Sequence, residues 1–433
     1  MTGVKPDQPI ALLDLSLPEL EALVVEQGEP RFRARQLWEW LYRHLATSFD
    51  QMTNLPRAFR QRLAAVATLG VLEPVAEAWS ADRMAQKFLF RLADGQLVES
   101  VLMHYEDEAA MVGDEDEREA EGGRRKAESG RQKAEGGRRK AATRGSEQEE
   151  ADSSFVVGPS SASGRHTVCI SSQVGCAMGC VFCATGQMGL LRNLTPGEIV
   201  AQVLFAERVL RQTGRHVTNV VYMGMGEPLA NFNHMWRSVE LLHDPAGFNL
   251  GARRITVSTV GLVPGMEKLA EQGLPVNLAL SVHGATDEVR DAIVPINTRF
   301  KLRDIVAAAR HYIEKTGRRL TVEWVLIQDV NDTPEQAEKL ADLLDGMLVH
   351  VNLIPLNPTP GYTGKTPTPA RAFRFRDILA ARGIATTLRM RRGIDVQAGC
   401  GQLRTKVVAG RPTSINPALI QPMSRPTEGQ RIG

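Results

Sequence analysis

Gly175-Cys176-Ala177-Met178-Gly179-Cys180-Val181-Phe182-Cys183 decides how this chain is read: three thiols at C-x3-C-x2-C spacing on one short loop, with Gly175 and Gly179 letting the backbone curl. A closed structural zinc site takes four protein ligands. A four-iron cluster on three thiolates keeps one iron open to something that is not protein. The spacing therefore predicts one [4Fe-4S] cluster on Cys176, Cys180 and Cys183, with a small chelating molecule beside it.

Around this loop, apolar β-like runs alternate with amphipathic helices. The predicted strands are 167–171, 219–223, 254–258, 276–281, 320–327 and 350–356. Thr195-Pro-Gly-Glu198 and Thr333-Pro-Glu-Gln336 each combine a capping threonine, proline at the first helical position and a capping acid or amide. Six strand-helix units in succession predict an α/β fold, a parallel sheet curled into a partial (β/α)6 barrel spanning residues 166–405. Ligands in such sheets sit at the carboxyl ends of the strands.

The polar motifs fall at those ends. Gly224-Met-Gly226-Glu227-Pro228 closes the second strand, where Gly226 bares backbone and Glu227 offers a carboxylate to an ammonium group. Ser258, the run Ser281-Val282-His283 and Asn357 lie at or after the ends of the third, fourth and sixth strands. Each alone reads as a strand-end cap. Grouped around one barrel mouth, downstream of the three-cysteine loop, they read as contacts to S-adenosyl-L-methionine (SAM) chelated to the open iron. This combination resembles the radical SAM superfamily.

Outside the barrel the chain changes character. Residues 1–85 read as helical, with Ala34, Leu37, Trp38, Leu41 and Leu45 on one face. Arginines 31, 33, 35, 43, 57, 60 and 62 form a basic patch, either a contact for RNA phosphates or a solvated helix face. Residues 86–105 read as a small β-hairpin extension turning at Asp94-Gly95, with Glu99 among apolar neighbours in its second strand. From 106 to 165 the composition shifts to Glu, Arg, Lys, Gly and Ser. Three near-copies of a seven-residue unit begin at Ala120, Ala127 and Ala134, with no large apolar residue at any repeating position and glycine in each. No coiled-coil seam can form from them, so the insertion reads as disordered. Residues 406–433 read as a loose tail.

The 433 residues carry a formal net charge of only +2, so RNA binding must come from local patches. Five cysteines, four of them between 169 and 183, do not suit a secreted disulfide framework; together with the absence of a long apolar run they predict a cytoplasmic protein with no membrane contact. Cys169 reads as a small strand residue. Cys400, in Ala398-Gly-Cys-Gly-Gln402, reads as a flexible, accessible thiol.

The runs Cys169 to Gly186, Gly224 to Asn231, Arg254 to Gly261, Leu280 to His283, Asn352 to Pro358 and Ala398 to Leu403 closely resemble the RlmN family. Its members are radical SAM enzymes that methylate carbon 2 of an adenosine in 23S rRNA and of the adenosine 3′ to the anticodon in tRNA. The resemblance implies an N-terminal RNA-binding domain, an electron donor such as flavodoxin or ferredoxin, a monomer, and two SAM molecules per turnover. It also implies catalytic roles for three residues. Cys400 accepts a methyl group and, as a methylene radical, adds it to C2; Glu99 removes the C2 proton; Cys169 attacks the Cys400 sulfur to release product as a disulfide forms. The long insertion between the Glu99 and Cys169 strands departs from the family pattern.

Three rivals share parts of this pattern. A Cfr-like enzyme would use the same cysteines to methylate adenine C8. A glycyl-radical activase shares C-x3-C-x2-C but has no need of Cys169, Cys400 or an arginine-rich helical domain. A zinc-site RNA-binding protein would use Cys169, Cys176, Cys180 and Cys183, against which stand the wide step from 169 to 176 and the Gly-Met-Gly-Glu-Pro strand end.

Overall fold

The computed structural model describes residues 9–105, 164–389 and 395–403. The insertion, save Gly164 and Arg165, and the tail lie outside the described residues. Described residues up to 104 and from 166 onward form one compact unit.

Ten strands make its main sheet. In chain order they are β1 (Glu73–Trp79), β2 (Ala85–Arg91), β3 (Leu97–Tyr105), β4 (Arg165–Cys169), β5 (Asn219–Tyr222), β6 (Ile255–Thr259), β7 (Asn277–Ser281), β8 (Leu320–Leu326), β9 (Val349–Pro355) and β10 (Thr386–Leu388). Spatial order follows chain order from β1 to β10. Strands β4 to β10 pair in parallel, each with the next. A sheet that always steps the same way, with right-handed helical crossovers, winds into a barrel wall. The six predicted barrel strands are present, and β10 adds a seventh parallel strand that the sequence reading did not single out.

Side chains alternate across the wall. In β8 and the residue after it, Val322, Trp324 and Leu326 enter the main core under the helices, while Val325 and Ile327 face the interior with Ile354 and Leu356. Both predicted helix starts form. Helix α5 (Pro196–Arg211), which follows the short helix α4 (Ala184–Met188), opens on a full Thr195/Glu198 capping box; Thr333 accepts from the Gln336 amide at the start of α10 (Pro334–Leu344).

The N-terminal helices are α1 (Leu17–Glu26), α2 (Arg33–Tyr42) and α3 (Arg57–Val66). Ala34, Leu37, Trp38, Leu41 and Leu45 are buried as the periodicity predicts. The helical reading of residues 1–85 ends too late, because Glu73–Trp79 is a strand. Its Ala- and Glu-rich sequence favours helix, but seven residues lie antiparallel along β2, from Glu73 opposite Arg91 to Trp79 opposite Gln86, and tertiary pairing overrides that weak preference. Three antiparallel strands therefore extend the sheet, where a two-stranded hairpin was predicted.

Where β3 ends and β4 begins, the buried rings of His104 and His166 meet, Nδ1 to Nδ1 at 3.2 Å, with Trp79 stacked on His104. Burial pushes His104 down to about 4. The pair is neutral at physiological pH, one ring donating and the other accepting.

Candidate active site

At the carboxyl ends of the barrel strands opens a cleft of about 1050 Å³. Cys176, Cys180, Cys183, Gly226, Glu227, Ser258, Ser281, His283, Asn357 and Cys400 line it. Three other predicted residues do not. Val282 is buried in the core, Cys169 is half-buried at the end of β4, and Glu99 is buried on β3.

The cysteine loop is pinned locally and from α8 (Asp287–Ile293). The Cys176 amide donates to the Gly189 carbonyl at 2.9 Å, the Cys183 amide to Cys180 at 3.1 Å, and the Val181 amide to Ile293 at 3.1 Å. Burial raises all three thiols, Cys176 to about 12, and Cys176 and Cys183 each raise Cys180 further, which marks them as close neighbours. Among the described residues no three His, Cys, Asp or Glu side chains converge on one metal ion. A cluster does not require such convergence, since each thiolate ligates its own iron. Three neighbouring thiols sheltered from water suit that group.

The Gly-Met-Gly-Glu-Pro turn is shaped by contact. Gly226 has φ +101°, and a Cβ there would stand 2.6 Å from the Gln173 side chain. Glu227 caps the short 3-10 helix Pro228–Asn231 and the end of β6, accepting from Leu229 N at 3.1 Å, Val260 N at 3.0 Å and the Thr259 side chain. Burial nevertheless pushes its carboxyl up to about 7. His283 accepts from the Val325 amide through Nδ1 at 3.0 Å, which leaves the proton on Nε2. Burial and the nearby Arg290 push His283 down to about 3, so it stays neutral. Ser258 donates to the Tyr222 carbonyl at 2.6 Å. Asn357 donates to the Cys400 carbonyl at 3.1 Å, while its own Oδ1 is buried without a partner at the cleft. An orphaned acceptor beside backbone-lined glycines suits a polar ligand such as SAM.

Cys400 is exposed, as expected, but its loop is tied down on several sides. The Gly401 carbonyl accepts from Ala184 N at 2.7 Å, the Leu403 carbonyl from Thr185 Oγ1 at 2.6 Å, and Gln402 Nε2 donates to the Pro358 carbonyl at 3.1 Å. A Cβ on Gly399 would stand 2.7 Å from Asn357 Nδ2. Close approach thus explains this glycine, where the sequence reading assigned flexibility. Burial raises Cys169 well above the ordinary thiol range, and Cys400 raises it further, so the two sulfurs lie near each other. Arg389 favours both thiolates and stands 3.6 Å from Glu323, a buried cleft residue that accepts from Asn352 at 3.0 Å.

Three side chains here had no separate signal in the sequence. Arg290 is fully buried and donates to the carbonyls of Val260 and Val282 and to Asn297 Oδ1, tying the ends of β6 and β7 behind the cysteine loop. In the run Asp-Glu-Val-Arg-Asp it reads as an ordinary helical cation. Glu323 sits inside an apolar strand. Lys87 opens the alternating run of its strand, and its role depends on a partner twelve residues away.

The basic patch is partly neutralised within the N-terminal region. Arg31 pairs with Glu21, Arg33 and Arg62 with Glu29, and Arg60 with Asp50, while Arg35, Arg43 and Arg57 are exposed and make no ion pair among the described residues.

Residues 10–69 match the family model described as the ribosomal RNA large subunit methyltransferase N-terminal domain, and residues 170–344 that of the radical SAM superfamily. A probable dual-specificity RNA methyltransferase RlmN of Symbiobacterium thermophilum is 44% identical over 395 residues, covering 90% of each chain. The dual-specificity RNA methyltransferase RlmN 1 of Myxococcus xanthus is 43% identical over 401 residues, covering 93% of this chain and 96% of its own. The crystal structure of a radical SAM methyltransferase from Sphaerobacter thermophilus superimposes with a TM-score of 0.77 at 45% identity, covering 92% of this chain and all of the other. No helix among the described residues is long and apolar enough to cross a membrane.

Proposed function

This chain belongs to the RlmN family of radical SAM RNA methyltransferases, and from that premise we propose that it methylates C2 of one adenosine in 23S rRNA and of the adenosine 3′ to the anticodon in tRNA. What supports this reading is the single cleft that Cys400 lines together with Cys176, Cys180 and Cys183.

Cys176, Cys180 and Cys183 would hold the [4Fe-4S] cluster. Gly226, Glu227, Ser258, Ser281, His283 and Asn357 would contact SAM, while Val282, its amide and carbonyl already bonded, would back the site from the core. Bound together, cluster and SAM supply a carbon radical, which an electron-poor adenine C2 requires because it cannot attack an electrophilic methyl itself.

The rest is done by this chain. Cys400, as thiolate, accepts a methyl group and carries it to the base. The charge of Arg389 favours that thiolate. After the carbon-carbon bond forms, the base is joined to Cys400 through the former methyl carbon. Glu99 takes the C2 proton, and the unpaired electron that radical addition leaves on the base is taken up by the oxidised flavodoxin or ferredoxin. Cys169 then attacks the Cys400 sulfur: the S–S bond forms, the S–C bond breaks, and the departing carbon keeps the electron pair and gains a proton. An external thiol or dithiol reduces the disulfide before the next turnover. Arg35 and Arg57 supply phosphate contacts from the N-terminal helices, in a monomer that acts in the cytoplasm with flavodoxin or ferredoxin as reductant.

Mass spectrometry of nucleosides from 23S rRNA and tRNA, with and without the gene, tests the proposal. Loss of 2-methyladenosine from both RNAs on deletion is expected. Loss of 8-methyladenosine would replace it with the Cfr-like reading.

A further inference from the structure

Glu99 and Lys87 share one face of the antiparallel extension. Leu89 lies opposite Glu99 and Lys87 opposite Val101, so the two charged residues are diagonal neighbours across β2 and β3. Their charges meet, Lys87 Nζ to Glu99 Oε1 at 3.0 Å, with only 13% of the lysine side chain and 5% of the glutamate exposed. Lys87 Nζ also reaches the Gln397 carbonyl at 3.4 Å, and the Ala81 amide in the β1–β2 turn donates to Asp395 Oδ2 at 2.8 Å. The extension therefore grips the start of the Cys400 loop. On the other side of Glu99, its amide donates to Met225 Sδ at 3.4 Å, and its carbonyl accepts from Ser171 Oγ at 2.6 Å. That hydroxyl in turn accepts from Met225 N at 2.8 Å. Met225 is the middle of the Gly-Met-Gly turn at the cleft.

A carboxylate taken this far from water stays ionised only beside a compensating charge. A base must be ionised to accept a proton, and it must stand in register with the group it serves. The Lys87 ammonium serves both needs.

We propose that Lys87 is a positioning residue for methyl transfer: it holds Glu99 as a carboxylate and, through the Gln397 carbonyl, sets the Cys400 loop so that base and methyl carrier address the same adenine. When Glu99 takes the C2 proton it becomes the neutral acid, while the contact of Lys87 with the Gln397 carbonyl persists. This rests on the reading of Glu99 as the base.

The test compares Lys87→Met, Lys87→Arg, Glu99→Gln and the double variant Lys87→Met/Glu99→Gln as cluster-loaded enzymes. Lys87→Met should still acquire S-methyl-Cys400, read from the mass of its peptide. It should accumulate the covalent protein–RNA adduct and lose at least about tenfold in product, a loss of one strong charged contact, and Lys87→Arg should restore most of it. Lys87→Met should also lower the thermal midpoint by roughly 5 °C, because a buried carboxylate has lost one partner. The double variant should regain most of that. Should Lys87→Met fail to fold, Lys87→Arg and the double variant against Glu99→Gln carry the comparison. Adduct resolution at the wild-type rate in Lys87→Met, or additive losses of stability in the double variant, would overturn the proposal. If Glu99→Gln itself resolves the adduct normally, the base assignment fails; if only Glu99→Gln stalls, the role of Lys87 alone is wrong.

Discussion

Two loops bring thiols to one cleft, and they are built in opposite ways. The loop of Cys176, Cys180 and Cys183 is mostly closed by its own neighbourhood, with the Gly189 and Cys180 carbonyls and Gln187 holding it. The loop of Cys400 is held from residues 81, 87, 184, 185, 357 and 358, all distant in sequence. One is a motif that could be carried to another chain. The other exists only where the barrel, the β extension and the C-terminal segment meet. A chemistry that needs a fixed inorganic centre and a correctly aimed carrier draws on both kinds of construction.

Breaking the local loop should have the largest effect. Cys176→Ala, Cys180→Ala or Cys183→Ala is expected to bring bound iron and sulfide, and release of 5′-deoxyadenosine from SAM, down to background; a variant that still holds four irons and cleaves SAM would remove the assignment. Next come the two thiols that the long-range loop brings together. Cys400→Ala should yield neither RNA product nor adduct. Cys169→Ala should accumulate protein bound to RNA, a slow band on a denaturing gel that nuclease treatment abolishes. Normal turnover by Cys169→Ala would reduce that residue to a strand thiol.

A smaller change sharpens the comparison from the other side. Asn357→Ala removes one tie of the Cys400 loop and the unpartnered acceptor at the cleft. Losing a hydrogen bond of this kind should slow S-methylation of Cys400 by roughly tenfold, while the iron content of the local loop stays unchanged. The least effect is expected from deleting residues 108–163. Loop length enters closure entropy only logarithmically, so turnover on a short RNA and the thermal midpoint should stay within about twofold and a few degrees; loss of the cluster would make the segment structural.

The same contrast explains what the sequence alone could disclose. Thiol spacing, strand-helix alternation and capping boxes are local signals, and they located the barrel, the cysteine loop and the glycine-rich turn. Gly399 was read as a source of mobility because its reason, a side chain forty-two residues earlier, is invisible to a local reading. Strand β1 was missed for the same cause, its pairing outweighing a helical composition. Lys87, Arg290 and Glu323 are ordinary by residue type and significant only by burial and partner. Asp50, Glu29 and Glu21, likewise, quiet arginines that a count of charges leaves available.

The contact of His104 with His166 has a use beyond the fold. The chain leaves the sheet at one ring and returns at the other, and the two rings touch. Such a junction is a graft point: a foreign domain with adjacent termini, a fluorescent reporter or an affinity module, can be spliced in place of residues 106–163 without asking either flanking strand to move. Because the joint lies on the strands that carry Glu99 and Cys169, a reporter placed there would ride on the part of the molecule proposed to take the proton and release the RNA.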